Sequence, residues 1–184
     1  MQNRIAAFFV GVVLLLSSSV GMAQDDQRLD FLFKELKTTS DARKAFIIQS
    51  QIWNLWMFSE AEDLNLLMRQ GADALSARDL DLAMDSFNAF VILAPDRPEG
   101  WNKRATAYFM MGNFKASIED VQRTLALEPR HFGALAGLGM IYDALKQKKA
   151  ALKAFQAALD VNPHMEEIKE RAASIARSLE DSRI

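Results

Sequence analysis

The 184-residue sequence contains no cysteine, and that absence removes disulfides, thiolate metal sites and thiol nucleophiles together. It also removes the lipid-modified cysteine that a lipoprotein anchor requires. Proline and glycine are scarce, at 4 and 8 residues, while helix formers such as Ala, Leu, Lys, Glu and Met dominate. Neither sign of charge prevails. With 22 basic and 24 acidic residues the formal net charge is −2, which leaves no electrostatic case for nucleic acid. The two histidines, His131 and His164, each follow a proline closely and have no ligand set at metal spacing. There is no glycine-rich phosphate loop and no nucleophile motif. Acidic groups such as Glu60, Glu62 and Asp63, or Asp79 and Asp81, precede helix starts, where negative charge is favourable in any case. No enzyme, metal or cofactor is expected from such a chain.

One long apolar run is present. Arg4 opens it, Ile5 to Leu16 continue it, and Ser17-Ser18-Ser19-Val20-Gly21-Met22-Ala23 lead into Gln24-Asp25-Asp26. A basic start, an apolar middle and small residues at Gly21 and Ala23 make a secretory signal over residues 1–23, cleaved after Ala23. The competing reading is an uncleaved anchor, against which Ile5 to Val20 is shorter than the roughly 20 residues of a spanning helix. Export without cysteine points to a periplasmic location.

The rest of the chain is organised by a repeat. Pro95, Pro129 and Pro163 are spaced by 34 residues, and other columns fall into the same register. Leu67, Trp101 and Leu135 align; so do Gly71, Ala105 and Gly139, and then Ala74, Tyr108 and Tyr142. Ala83, Ser117 and Ala151 form the next column, followed by Phe87, Val121 and Phe155, and by Phe90, Thr124 and Ala158. Small residues in one helix let its partner approach, large ones fill the gap, and each proline ends a helix. Phe90 stands where a small residue is usual, so looser packing is expected in the first repeat.

These columns resemble the tetratricopeptide repeat (TPR). The resemblance implies an all-α superhelix of antiparallel helix pairs, with repeats at residues 64–97, 98–131 and 132–165. Residues 24–60 are expected to form an N-terminal helical hairpin capping the first repeat, on the stripes Leu29, Leu32, Phe33, Leu36 and Ala45, Ile48, Ile52, Leu55, Trp56. Trp53 and Trp56 in this hairpin either pack on the first repeat or form an exposed patch for a partner or for self-association. Residues 166–184 are expected to form a capping helix with Ile168, Ala172, Ile175 and Leu179 inward.

By the same resemblance, first helices of successive repeats line a concave groove that binds a protein or peptide ligand. The positions implied are Met68 and Arg69 in the first repeat, Asn102, Lys103, Thr106 and Phe109 in the second, and Met140 in the third. Asn65, Ala72, Glu99, Gly133, Ala136, Gly137 and Asp143 accompany them. Such a mixture of amides, cations and methionines suits a peptide or a helix. The family's clamp of lysine, asparagine and arginine for a C-terminal carboxylate is not matched, because Met68, Ala72, Gly133 and Gly137 occupy its positions and only Lys103 could serve. The expected function is therefore an exported, non-catalytic adaptor, with a self-associating envelope component as the alternative. Lys146, Lys148 and Lys149 form a basic turn that leaves peripheral attraction to anionic lipid as a minor partner class.

Overall fold

Nine helices account for residues 27–181, the part of the chain that the computed structural model describes, and no strand occurs among them. The apolar segment read as an export signal lies outside the described residues. The hairpin is α1 (Gln27–Thr38) and α2 (Ala42–Met57). Three helix pairs follow: α3 (Glu62–Ala77) with α4 (Leu80–Leu93), α5 (Pro98–Met110) with α6 (Phe114–Leu127), and α7 (Phe132–Ala144) with α8 (Lys148–Val161). The last element is α9 (Glu166–Asp181). Among the described residues no helix is long and apolar enough to cross a membrane.

The turns inside the pairs obey the 34-residue period in backbone conformation as well as in sequence. Arg78, Gly112 and Lys146 all take left-handed φ values, 60°, 74° and 61°. Only glycine adopts that conformation without a Cβ penalty, so two of the three repeats carry strain there. The residue that follows starts the second helix. Asp79 accepts from the Leu82 amide and Asn113 from the Ala116 amide, each satisfying a helix-end donor.

Within a pair, the small and large columns meet. A Cβ on Gly71 would lie 2.5 Å from the Phe87 ring, and one on Gly139 would lie 2.4 Å from Phe155. In the second repeat, where Val121 stands in the phenylalanine column, the Ser117 hydroxyl donates to the Ala105 carbonyl at 2.7 Å. Phe90 does not loosen the first repeat as expected: it is 1% exposed. Gly100 makes the room, since a Cβ there would sit 2.3 Å from the Phe90 ring. The same two columns carry Thr124 with Ala134 and Ala158 with Ile168, so volume is exchanged across the seam between repeats rather than lost.

The two ends of the array are finished differently. Ile168, Ala172 and Ile175 of α9 are buried against the third repeat, with Leu179 partly so. The positions in register on α3 are Leu66, Gln70, Asp73 and Ala77, all exposed. Polar Gln70 and Asp73 make this face a poor seat for another helix, so the hairpin does not cap it. Instead α1 and α2 lie over the N-terminal ends of α5, α7 and α9, where the joining turns run. Leu29, Phe33, Ile52 and Trp56 share one core with Phe132, and Val161 and Met165 pack against it. Both earlier readings of the tryptophans are thereby corrected. Trp56 is fully buried and Trp53 partly, and their seat is the start of the third repeat.

Phe155→Ala should cost about 3–5 kcal/mol through lost burial and the cavity left behind. Gly139→Ala should cost about 1–3 kcal/mol by overpacking the same contact. Combining the two should cost less than their sum in urea melts, because the shorter side chain relieves the clash. Strict additivity would mean that the residues do not touch.

Candidate functional site

Five of the seven expected site residues come together. Asn102, Lys103, Thr106 and Phe109 on α5 face Met140 on α7 across a cleft of about 210 Å³, closed at one end by Trp53 of α2. Gly133 and Gly137 form the α7 wall. A Cβ on Gly133 would lie 2.6 Å from the Trp53 ring, so glycine there is what admits the tryptophan. A Cβ on Gly137 would meet nothing within 4 Å, so that stretch of backbone faces open space. The volume lies below the roughly 300–1,000 Å³ of small-molecule sites and suits one large side chain of a ligand.

The remaining expected residues sit elsewhere. Met68 is fully buried beside Phe87, Phe90 and Ala107, and Met57 of α2 packs on that cluster, so it belongs to the first-repeat core. Arg69 borders a separate shallow hollow with Leu66, Gln70, Asp73 and Leu82. Met68 leaves the groove because the chain arriving from α2 covers it, whereas Arg69 stays exposed on another side of α3. Asn65 serves that arrival. Its Oδ1 accepts from the Ser59 amide at 2.9 Å, and its Nδ2 donates to the Ser59 carbonyl at 2.8 Å.

Beside the cleft lies an electrostatic device that the family positions only half disclose. Glu99, expected on the groove surface, is completely buried. His131 caps α7, its Nδ1 accepting from the Ala134 amide at 3.1 Å. That leaves Nε2–H as the donor to Glu99 Oε2, 2.8 Å away, in the neutral tautomer. Asn102 Nδ2 donates to the same oxygen at 3.1 Å. Lys103 Nζ stands 3.3 Å from Oε1 as an ion pair, although Oε1 receives no aligned hydrogen bond. Lys103 also lies over the Trp53 ring at 5.7 Å. Burial by itself would raise the Glu99 pKa. The His131 hydrogen bond, the Lys103 charge and the Asn102 amide outweigh it and hold the carboxyl below its usual range. The sequence signal for this pair was available: two polar residues, each next to a helix start, 32 positions apart and both flanking prolines.

Chemically, the lining offers apolar surface from Phe109 and Met140 and donors from Asn102 and Lys103. Glu99 is sealed from solvent, and the Thr106 hydroxyl donates to the Asn102 carbonyl at 3.0 Å, with no base beside it. Among the described residues no group of three or more His, Cys, Asp or Glu side chains could hold a metal ion.

Known proteins are similar to this chain in the same region. The family described as Tetratricopeptide repeat matches residues 102–166. A TPR repeat-containing protein of Rhizobium etli is 37% identical over 157 residues, covering 85% of this chain and 77% of the relative. Among solved structures, the Sgt2 TPR domain from Aspergillus fumigatus superposes with a TM-score of 0.63 at 21% identity, covering 67% of this chain and 83% of that one. The first TPR of Spaghetti (RPAP3) bound to the HSP90 peptide SRMEEVD gives 0.61 at 22% identity, over 65% and 95%. At these identities the two structures speak to the fold alone.

A carboxylate that folding keeps ionised adds stability above the ordinary range, near pH 4.5, and loses it as pH falls through its lowered native pKa. Between about pH 5 and pH 3 the wild-type chain should therefore lose stability more steeply than Glu99→Gln. Urea midpoints across that window measure it. Parallel slopes would remove Glu99 as the source.

Proposed function

The chain belongs to the tetratricopeptide-repeat family, and we propose that it is an exported adaptor, non-catalytic, whose concave cleft grips a protein ligand by one inserted side chain. Members of this family are in general interaction modules rather than catalysts. The observation that carries the reading is the cleft itself: an apolar lining from Phe109 and Met140, an ammonium and amide at its rim, and free backbone at Gly137. Methionine and phenylalanine adapt to an inserted apolar group, and Lys103 supplies a donor for a neighbouring carbonyl or carboxylate. Export rests on Arg4, the apolar run that follows and the small residues Gly21 and Ala23. A periplasmic destination is consistent with a chain that needs no disulfide.

Self-association has support of a different kind. Phe46 and Ile47 on the outer side of α2 are 70% and 51% exposed, although the buried tryptophans contribute nothing to such a patch.

The test uses a photo-crosslinking residue at Thr106, exposed at the cleft, with a control at Glu119 on α6. A discrete partner captured in cells from Thr106 and not from Glu119 is the expected result; adducts only between copies of the chain would favour self-association instead. Gly137→Leu sharpens the outcome. It should raise helix stability by roughly 0.5–1 kcal/mol, because glycine is a poor helix former. It should also abolish capture by filling the cleft. Capture that persists in a well-folded Gly137→Leu chain would place the ligand elsewhere.

A further inference from the structure

The α1–α2 hairpin carries none of the repeat columns and does not stack as a further repeat. It is seated on the array by a definite set of contacts. Trp56 stacks on His131 at 4.0 Å with the rings 12° apart, and Trp53 meets Trp56 edge-on at 5.2 Å while entering the space left by Gly133. The Arg97 guanidinium donates to the carbonyls of Trp56 and Phe58, 3.2 Å and 2.8 Å away, at the negative end of α2. Arg130 pairs with Asp30 and lies 4.5 Å over the Phe33 ring, and His164 Nε2 is 3.0 Å from the Leu36 carbonyl.

We propose that this seat is a docking socket for the C-terminal turn of an amphipathic helix bearing two aromatic residues three positions apart, and that the hairpin is its resident ligand, displaced when a partner helix binds. The proposal rests on the adaptor reading above and names the partner class. Its chemistry is written in the socket: a flat imidazole and a glycine gap for the aromatic pair, Arg97 for terminal helix carbonyls, and Arg130 for an acidic residue on the same partner.

Two observations mark the hairpin as an exchangeable occupant rather than a permanent part of the core. Buried polar atoms without a hydrogen-bond partner gather at this seam, Trp56 Nε1 and Arg97 Nε among them, and Glu99 Oε1 lies just behind it. An unmet buried donor weakens an interface: Trp56 Nε1 leaves with the hairpin, while Arg97 Nε stays in the socket, where a partner offering an acceptor gains over the resident helix. Asn65 moreover clamps Ser59 on both its amide and its carbonyl, fixing the chain immediately after the hairpin. Release therefore ends at Phe58 without unwinding α3.

The experiment needs no cellular partner. A fluorescein-labelled synthetic peptide of residues 27–58 is titrated by anisotropy against the full chain and against the Trp53→Ala/Trp56→Ala full chain. Removing the resident anchors should tighten peptide binding about tenfold or more, since a socket occupied in cis binds in proportion to its open fraction. Adding Gly133→Leu, which fills the Trp53 seat, should abolish binding. In parallel, the wild-type chain is labelled with ¹⁵N and mixed with excess unlabelled peptide. Amides of the resident α1 and α2 should then exchange faster while those of α4 to α8 stay unchanged. Equal affinity for both chains, or hairpin protection unmoved at saturating peptide, overturns the proposal. Either of those results leaves the cleft reading standing, because Thr106 crosslinking tests that reading separately. A failed capture at Thr106 likewise does not touch the socket.

Discussion

The hydrogen bond between Glu99 and His131 is the joint on which the rest of the structure turns. It links the first turn of α5 to the cap of α7, so it fixes the second repeat against the third from inside the curve. The same imidazole is the stacking plane for Trp56, so it also fixes the hairpin. Asn102 shares the Oε2 oxygen with His131, and Lys103 pairs with Oε1 of the same carboxylate. A buried charge is tolerated only when its partners are all in place, and here they come from α5 itself and from the cap of α7. Repeat stacking, hairpin docking and the polar rim of the cleft consequently meet at one buried carboxylate and its imidazole partner.

Much of the array was legible because its determinants are local and periodic. Columns such as Gly71, Ala105 and Gly139, or Phe87, Val121 and Phe155, specify contacts within one helix pair, and each pair forms as its sequence dictates. The cleft positions on α5 and α7 were legible through the family resemblance, which the period brings into register. Failures arose where a long-range choice overrode the local pattern. Phe90 looked like a defect in its own column and becomes regular only when read with Gly100, in the next repeat. Met68 and Glu99 occupy family groove positions, yet Met57 covers the cluster holding the first and the second turns inward to His131.

The position of the hairpin was the largest surprise, and it has a readable cause. Its stripes were correct, since Leu29, Leu32, Phe33, Leu36, Ile48, Ile52 and Trp56 are all buried. What they are buried against depends on the competing surfaces offered. The face of α3 presents Gln70 and Asp73, while the start of α7 presents Phe132, Gly133 and His131. Comparing those faces across the period would have shown that only the first repeat is polar at both positions, Gln70 and Asp73, where the second has Arg104 and Ala107, the third Leu138 and Ile141, and α9 Ala172 and Ile175. Amphipathic pattern says that a helix must be covered; complementarity between particular surfaces says where.

That polar edge on α3 governs more than the placement of one hairpin. A solenoid whose two ends were both apolar and in register would accept the end of another copy as its next repeat, and such head-to-tail contacts do not close into a ring unless the rotation permits. Open-ended filaments are the outcome. With Gln70 and Asp73 at one end and the charged outer surface of α9 at the other, the described residues present no such pair of matching apolar faces.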